Sequence, residues 1–440
     1  MPVVKFILPV ILSLIFTSTV LNAQPATMTA GLSKVNITSP HSIPLHDSLY
    51  ARVLLLDDGD HRIAFIAVDQ GIYTNDKIAV IAKERFGINQ LFLSSSHTHS
   101  SGKTDGNFVA SQLLKALNQA SRNMFPAKLV AGHRTFPQLG FNRLIVREDG
   151  HSRESWFSDD HYTSENPERI PFGPVDPEVG VIKVEDMDGN PRGIIMNYAC
   201  HADIVCNNYE ISADYPGVAC RKVEEAFGDK ITCLFIQGAA GDIESLIISS
   251  RRNGADDPFK TDYRTIERVG ALLAYETVKL AKLLVPDINK QTGIKFRNDS
   301  LLFTGRFNKE SDFNVHISTI LINDDIVIST CPGEPMVRLQ LDWKSKIRDA
   351  QGVPFLFGYT WHKGTWPNYI PDIKSAAQGG YGADQDGPTL IEVGSGEMIM
   401  NKHFENYFRL NGLMREKSGP VGFKGGSQWQ IIEIKPGSKN

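Results

Sequence analysis

Residues 62–102 of this 440-residue chain read RIAFIAVDQGIYTNDKIAVIAKERFGINQLFLSSSHTHSSG. Two runs within them, Arg62–Asp69 and Gln90–Ser96, are apolar and rich in residues that favour strands. Between the runs, Asp76–Phe86 carries apolar residues at three- and four-residue spacing, the pattern of an amphipathic helix. A strand, a helix and a second strand in succession predict an α/β fold.

The same alternation continues along the rest of the chain. Further strands are predicted at Arg52–Asp58, Gly180–Asp186, Gly193–Cys200, Ile231–Gly238, Asp325–Cys331 and Pro354–Thr360, and further helices at Gly217–Phe227, Thr265–Leu284 and Pro335–Ala350. We find no internal repeat, no low-complexity linker and no break in composition, so the sequence predicts one large domain of β-sheets flanked by helices, spanning residues 24–417. Two polar segments, Arg147–Arg169 and Ser249–Thr265, are predicted to be long loops, and residues 418–440 a tail rich in glycine and lysine.

The amino terminus carries a secretory signal pattern over residues 1–23. Lys5 precedes an apolar stretch from Phe6 to about Leu21, and small residues lead to Ala23, after which we expect cleavage. The mature protein is then expected to work outside the cytoplasm, in a periplasm or secreted. An uncleaved membrane anchor is the alternative, which the short apolar core disfavours. No other segment approaches the roughly 18 apolar residues of a membrane span, so none is predicted after signal cleavage.

Composition excludes several classes of function. The formal net charge is −4, the pI is near 6.3, and no basic stripe with interleaved aromatic residues is present, so we expect no nucleic-acid partner. Five scattered cysteines are too few for a disulfide scaffold, and Cys331 fits a buried thiol at a strand end better than a nucleophile. The chain also lacks a nucleophile elbow, a P-loop and a dinucleotide-binding glycine motif.

Histidines and carboxylates follow the predicted strands, at the ends where the loops of an α/β sheet converge. His97 and His99 come one residue apart after Gln90–Ser96, and an H-x-H pair at a strand end projects both imidazoles to the same side. That spacing suits a metal ion. The other strand ends carry His201, Asp203, Asp214, Asp242, Glu244, Ser245, Glu334, His362, Tyr369 and Tyr381.

Taken singly, these residues also have structural explanations. A histidine after a strand often makes only a structural hydrogen bond, and Glu334, which precedes a helix, would interact with the positive end of the helix dipole. Their coincidence at several strand ends favours a metal site instead. His97, His201 and Glu334 would form a two-histidine, one-carboxylate site, which suits zinc and is also accepted by iron or manganese.

Several segments, taken in order, resemble the neutral, non-lysosomal ceramidase family. They are HTHS (97–100), NYACHAD (197–203), ISADYPG (211–217), the Gly241-Asp242 turn, PGE (332–334), GYT (358–360) and NYIP (368–371). AGLSKVNITSP (30–40), LYARVLLLDDG (49–59) and GPVDPEVGVIKVED (173–186) also match, and the resemblance covers residues 30 to about 415. It implies the ceramidase catalytic fold and a zinc-dependent amidase of sphingolipid metabolism.

The resemblance also implies roles for individual residues. The zinc ion would be held by two histidines, a glutamate and a tyrosine, which match His97, His201, Glu334 and Tyr369. Residues that contact the reacting amide match His99, Arg143 and Tyr381. In these roles the metal activates water and polarises the carbonyl, while the arginine, histidine and phenol stabilise the oxyanion or protonate the leaving group. Ceramide or another N-acyl lipid is the implied substrate.

Departures from the family pattern modify these expectations. Glu244 stands where ceramidases carry a serine next to the metal, and Ser245 follows one position later as a weaker nucleophile candidate. Glu244 is either a general base for the metal-activated water or a residue that points away and caps the next element. Trp361 and Trp366 lie where ceramidases have a different short segment, and indoles stack on sugar faces as well as packing in cores. We also expect no counterpart of the further C-terminal β domain of ceramidases.

The sequence therefore predicts an exported zinc hydrolase that cleaves an amide or ester bond with metal-activated water. His99, Arg143, Glu244 and Tyr381 would surround the reacting group. The substrate alternatives are an N-acyl lipid and an acetylated or esterified glycan. A secreted binding protein that keeps the pocket without turnover is the alternative from another functional class, and the oligomeric state is open.

Overall fold

The computed structural model describes residues 28–414, apart from 41–43, 104, 137–138, 155–171, 206–209, 246–262, 288–289 and 291. The expected signal peptide, the expected tail and much of both predicted polar loops lie outside the described residues, as does Cys206. The domain bounds at 24 and 417 therefore remain predictions.

Nineteen strands and seven helices form the described part of the chain. The strands are β1 (Thr29–Asn36), β2 (Tyr50–Asp57), β3 (Arg62–Val68), β4 (Gln90–Ser95), β5 (Phe125–Thr135), β6 (Gly140–Asn142), β7 (Leu144–Val146), β8 (Ser152–Glu154), β9 (Glu178–Asp186), β10 (Pro191–Tyr198), β11 (Thr232–Gln237), β12 (Ile243–Ser245), β13 (Ile294–Thr304), β14 (Asp312–Ile322), β15 (Ile326–Thr330), β16 (Glu334–Pro335), β17 (Val353–Phe357), β18 (Thr360–Trp361) and β19 (Tyr369–Ile370). The helices are α1 (Asp76–Phe86), α2 (Gly106–Arg122), α3 (Asp214–Ala226), α4 (Tyr263–Leu283), α5 (Val337–Asp349), α6 (Ile373–Gln378) and α7 (Ser395–Leu410). Every predicted strand and helix is confirmed to within a few residues.

The strands form one large mixed sheet and one smaller sheet, besides three two-stranded pairings. The large sheet has the order β11-β10-β9-β5-β1-β2-β3-β4-β18, and the smaller one has the order β13-β14-β15-β17. Strand β5 joins two halves of the large sheet, because Phe125 and Pro126 pair with β1 while Ala127–Thr135 pair with β9. Strand β11 nevertheless packs against β2, β3 and β4. The large sheet therefore folds over on itself at β5.

A central apolar core lies between the two halves of the large sheet and the smaller sheet. Its members come from all three layers and include Phe65, Phe92, Ile182, Ile195, Leu234, Ile320, Ile328 and Phe355. In β3, Ile63 and Phe65 face this core, whereas Ala64 and Ile66 face the opposite side, where α1 and α2 pack. Strands buried on both faces read as continuous apolar runs, which explains why the sequence showed runs and not strict alternation.

Each sheet layer carries a pair of helices on its outer face. Helices α1 and α2 cover β2–β4, α3 and α4 cover β9–β11, and α5 and α7 cover the smaller sheet. Helix α2 packs on the sheet through one apolar face. That buried face is formed, at helical spacing, by Val109, Leu113, Ala116, Leu117 and Ala120. The predicted fold class, an α/β domain of sheets flanked by helices, is confirmed.

Hydrogen bonds tie the carboxyl ends of strands from all three layers together. The backbone N–H of Ser95 donates to Tyr359 O at 3.1 Å, and that of Gly358 donates to Gln237 O at 3.0 Å. The Gln237 side-chain amide donates to Ser96 O and Cys200 O at 3.2 and 2.8 Å. A Cβ at Gly358 would lie 2.4 Å from the carbonyl oxygen of Gly238, so only glycine allows this approach. One end of the central core thus collects the strand ends that carry the candidate residues.

The described cysteines are buried, and the described helices are not of the membrane-spanning kind. Cys200, Cys220, Cys233 and Cys331 are buried free thiols, and burial raises the pKa of Cys331 to about 12. Cys331 is therefore a packed thiol and not an activated nucleophile. Among the described residues, none of the helices has both the length and the apolarity that crossing a bilayer requires.

A buried histidine predicts how stability depends on pH. His403 on α7 is fully buried, and burial lowers its pKa from 6.5 to about 3. Because the folded pKa lies below the unfolded one, stability is fully present above pH 6.5 and is lost as the pH falls towards 3. This residue alone is expected to lower the free energy of unfolding by about 2 kcal/mol between pH 6.5 and about pH 4.5.

Urea unfolding of His403→Gln and wild type at both pH values measures this contribution. Glutamine keeps an acceptor and a donor for Thr319 and Thr330, which bond the two ring nitrogens at 2.8 and 3.1 Å. The variant should show a smaller loss of stability on acidification, and the two proteins should share the same pH dependence above neutrality. An identical acid loss in both proteins would contradict the assignment.

Candidate metal centre

Three histidines meet at the end of the core where the strands converge. His97 and His99 follow β4, and His201 follows β10. The Nε2 atoms of His97 and His99 lie 3.2 Å apart, and ligand atoms of all three rings lie within 4.8 Å of one another. His97 and His201 are buried and His99 is half-buried. The structure therefore brings the predicted H-x-H pair, His97 and His99, together with His201.

Backbone carbonyls orient the two buried rings. The Nδ1 atom of His97 lies 2.9 Å from Gly71 O, and the Nδ1 atom of His201 lies 3.1 Å from Ile243 O. A carbonyl oxygen only accepts hydrogen bonds, so each Nδ1 carries the proton and donates. The Nε2 atoms that face the cluster are then unprotonated in the neutral rings, as in histidines that ligate metals.

Glu334 brings a carboxylate to the same point. Its Oε2 atom lies 3.3 Å from His97 Nε2 and 3.5 Å from His201 Nε2. The pairing of β16 with β19 sets Glu334 beside Tyr369, and the Glu334 N–H donates to Asn368 O at 2.9 Å. A Cβ at Gly241 would lie 2.5 Å from the Glu334 carbonyl oxygen, so glycine allows the 241–244 turn to reach this strand.

The charges of the cluster are set by this proximity. Burial opposes ionisation of Glu334, but His97 and His201 bring its pKa well below the usual value. Burial lowers the pKa of His201 and, together with the neighbouring histidines, brings the pKa of His99 well below the usual value. Burial acts the same way on His97, but the Glu334 carboxylate outweighs it and raises the pKa. An anionic carboxylate among imidazoles is a donor set suited to a divalent cation.

The spacing of these atoms fits one metal ion. Two ligand atoms about 2.1 Å from a tetrahedral zinc ion lie about 3.4 Å apart. The distances observed here are close to that value. They are 3.2 Å between His97 Nε2 and His99 Nε2, and 3.3 and 3.5 Å from Glu334 Oε2 to the Nε2 atoms of His97 and His201. The buried His201 Nε2 makes no good hydrogen bond at 3.5 Å, which leaves a buried acceptor that a metal would satisfy. The residues present therefore fit a metal.

Arg143 and Glu244 form a buried ion pair beside the cluster. Arg143 Nη1 donates to Glu244 Oε1 at 2.5 Å, and both side chains are at most 1% exposed. Arg143 Nη2 also donates to Gly241 O at 2.6 Å. Glu244 lies close enough for its charge to act on His99 and His201. The Glu244 carboxylate therefore lies beside the histidine cluster, and its role as a general base remains a proposal.

Tyr369 and Tyr381 line the other side of Arg143. The guanidinium lies over both rings, 5.4 Å from the Tyr369 centroid and 4.9 Å from the Tyr381 centroid, and it is hydrogen-bonded to the Tyr369 phenol. The two rings meet edge to face at 5.4 Å. Burial raises the pKa of Tyr369 well above its usual value, with Arg143 acting against the shift and Glu334 adding to it. Both tyrosines therefore lie against Arg143.

Other sequence candidates have structural roles or lie elsewhere. Asp242 accepts from Val337 N at 2.8 Å, at the start of α5, and from Asn142 Nδ2 at 2.6 Å, and burial raises its pKa to about 6. It fixes the turn that carries Glu244. His362 bonds Leu91 O through Nδ1 at 3.1 Å and packs near Phe92, away from the histidine cluster.

Ser245 and the two tryptophans are packed within the fold. Ser245 is buried in β12 opposite Gly140. Trp361 is a member of the core between α1, α2 and the large sheet, and Trp366 packs against that core. Trp361 is buried there and Trp366 is half-buried, so both indoles pack against the same core.

Sequence reasoning did not single out Tyr359. Its hydroxyl donates to Glu334 Oε2 at 3.3 Å, and its ring packs against His97 with the centroids 4.6 Å apart. Both His97 and Tyr359 adopt left-handed backbone conformations, with φ of 64° and 53°. The GYT segment was visible in the sequence, but a bulky residue with positive φ is not foreseeable from composition.

Comparison with known proteins gives the fold a precedent. No protein family model matches the chain. A solved structure described as a ceramidase complexed with C2 is 15% identical, with a TM-score of 0.67, and the match covers 90% of this chain and 77% of that one. A neutral ceramidase from Pseudomonas aeruginosa is also 15% identical, with a TM-score of 0.63 and coverage of 90% and 76%. The chain therefore has the fold of the neutral ceramidases.

Proposed function

We propose that this protein is an exported, metal-dependent hydrolase that cleaves an amide or ester bond, with zinc as the metal. The single observation that carries the proposal is the cluster of His97, His99 and His201 around the Glu334 carboxylate, built on a ceramidase-like fold. A two-histidine, one-carboxylate set with a third imidazole at its edge leaves room for a substrate or water, as in catalytic zinc sites. Export rests on the signal pattern of residues 1–23.

His97, His201 and Glu334 would hold the metal, and two further residues are candidates for the same role. His99 supplies a third nitrogen within 3.2 Å of His97, and Tyr369 is the family's fourth ligand position, adjacent to Glu334 across the β16–β19 pair. When bound, zinc would supply a Lewis acid that polarises a carbonyl and lowers the pKa of a water molecule.

The chain's own residues supply binding and proton transfer. Arg143, held by Glu244 and the Gly241 carbonyl, orients the phenols of Tyr369 and Tyr381 by stacking on their rings. Tyr381 is the more exposed of the two phenols and is the donor assigned to the developing oxyanion or the leaving group. His99, whose low pKa keeps it neutral, is an alternative proton acceptor if it does not ligate the metal.

An N-acyl lipid is the proposed substrate class, through the resemblance to ceramidases. The glycan alternative drew on the missing family serine and on the two tryptophans, of which Trp361 lies in the core and Trp366 packs half-buried against it. The support for a sugar substrate is correspondingly weaker. The proposal therefore places amide hydrolysis of an N-acyl lipid before deacetylation of a sugar.

Turnover of defined substrates tests this proposal. The zinc-loaded protein is expected to hydrolyse a fluorogenic N-acyl sphingosine, and Tyr381→Phe is expected to lower kcat by about 10²- to 10⁴-fold with little change in KM, because the phenol acts in the transition state. Tyr275→Phe, on an exposed face of α4, serves as the matched control and should keep full activity. Turnover of an acetylated sugar panel alone would move the substrate class to glycans. No turnover of either class by metal-loaded protein would reject the hydrolase proposal.

A further inference from the structure

The site contains a phenol for which the ceramidase resemblance implies no role. Tyr359 lies between β17 and β18 and is fully buried. Its N–H donates to Gly333 O at 3.0 Å, and its carbonyl accepts from Ser95 N at 3.1 Å. The backbone is therefore held on both sides, by Gly333, which directly precedes Glu334, and by the end of β4, which leads to His97.

The backbone of Tyr359 adopts a conformation that is unfavourable for a bulky residue. With φ of 53°, its backbone is in the left-handed region, which costs a bulky residue of order 1–3 kcal/mol. His97, with φ of 64°, is in the same region, and the two ring centroids lie 4.6 Å apart with the planes tilted by 38°. Such residues cluster where the surrounding structure holds a side chain for a function. Glycine at position 359 would relieve the strain but would remove the phenol.

Three groups converge on a single carboxylate oxygen. Glu334 Oε2 lies 3.3 Å from His97 Nε2, 3.5 Å from His201 Nε2 and 3.3 Å from the Tyr359 hydroxyl. The two histidine nitrogens are themselves candidate metal ligands. Tyr359 is the one of the three that can donate a hydrogen bond to Glu334 while both nitrogens bind a metal. Metal-ligating carboxylates depend on such outer hydrogen bonds for their orientation.

We propose that Tyr359 is a positioning residue that sets the metal affinity of the centre by holding the Glu334 carboxylate through its hydroxyl and His97 through its ring. The inference rests on the proposed metal centre. It assigns Tyr359 no contact with substrate, so its effect passes through Glu334.

Zinc affinity separates this role from simple packing. Tyr359→Phe keeps the ring and removes only the hydroxyl, and the zinc dissociation constant, measured on metal-free protein by competition with a chromophoric chelator, is expected to rise about 10- to 100-fold. Tyr407→Phe is the matched control, because the Tyr407 hydroxyl donates to Ala350 O at 2.8 Å in the packing of α7. This control should leave the dissociation constant unchanged. The visible spectrum of the cobalt-substituted protein should shift in Tyr359→Phe and not in Tyr407→Phe.

A double-mutant cycle tests whether Tyr359 acts through Glu334. In a Glu334→Ala background, Tyr359→Phe should cause no further loss of zinc affinity, because the carboxylate it holds is gone. Equal zinc affinity of Tyr359→Phe and a zinc-binding wild type would overturn the inference and leave the proposed function standing. Additive losses in the double variant would also overturn it. A wild type that binds no zinc would remove the proposed metal centre and this inference together.

Discussion

Replacing Glu244 by alanine is expected to lower the free energy of unfolding by about 3–5 kcal/mol, the usual cost of removing one partner from a buried ion pair. The variant would leave the Arg143 guanidinium, 1% exposed, without the carboxylate that lies 2.5 Å from it. The Gly241 carbonyl and the Tyr369 phenol would remain as neutral partners and do not replace that charge. Guanidinium-induced unfolding measures the loss.

Two further variants make this prediction specific. Glu225→Ala removes an exposed partner of Arg221 on α3 and is expected to cost at most about 1 kcal/mol, as surface ion pairs do. Arg143→Met combined with Glu244→Leu removes both charges and should recover much of the loss, since apolar replacement of a whole buried pair is often neutral. A cost for Glu244→Ala no larger than that for Glu225→Ala would mean that the buried pair is not formed in solution.

Zinc is expected to stabilise the metal-free protein by about 4 kcal/mol when present at a thousand times its dissociation constant. The stabilisation arises because the folded state holds His97 and His201 within 3.5 Å of the Glu334 carboxylate and an unfolded chain does not. Chemical unfolding of dialysed protein, with and without added zinc, measures the shift. His201→Ala should abolish it, because that ring supplies a buried unprotonated nitrogen.

His362→Ala is the matched control for the zinc effect. His362 also follows a strand, but its ring bonds Leu91 O and lies away from the histidine cluster. The control protein should keep the full zinc-dependent stabilisation. If zinc stabilises His201→Ala as much as the wild type, the ion binds elsewhere and the assignment of the centre is wrong.

Much of the fold was predictable because most of its strands are buried on both faces. Continuous apolar runs such as Arg62–Asp69 identify these strands without alignment. Strands β13 and β14 were not predicted, since β13 contains the polar stretch Arg297–Ser300 and is exposed along much of its length. Helix α2 was missed although its buried face has clear helical spacing. The large sheet folds over on itself at β5 because of pairing between strands that are far apart in the sequence, and local sequence patterns do not encode such pairing.

The site was predictable where residues follow strands in sequence. His97, His99, His201 and Glu334 were placed by this rule, and the structure brings all four together. Glu244 was identified, but its ion pair with Arg143 joins residues 101 positions apart and was not foreseen from the sequence. Tyr359 was not identified, because its role depends on a left-handed backbone and a contact across three strand ends. The assignment of metal and catalytic roles remains a proposal.

Metal content is the most direct test of the central claim that this chain carries a metal centre. Plasma mass spectrometry on mature protein, purified without a histidine tag or added metal, should find about one zinc ion per chain, a single site being what the donor set accommodates. The double variant His97→Ala/His201→Ala, purified in parallel, should contain none. A folded wild-type protein that carries no metal and fails to bind added zinc would contradict the account and favour a binding protein on this fold.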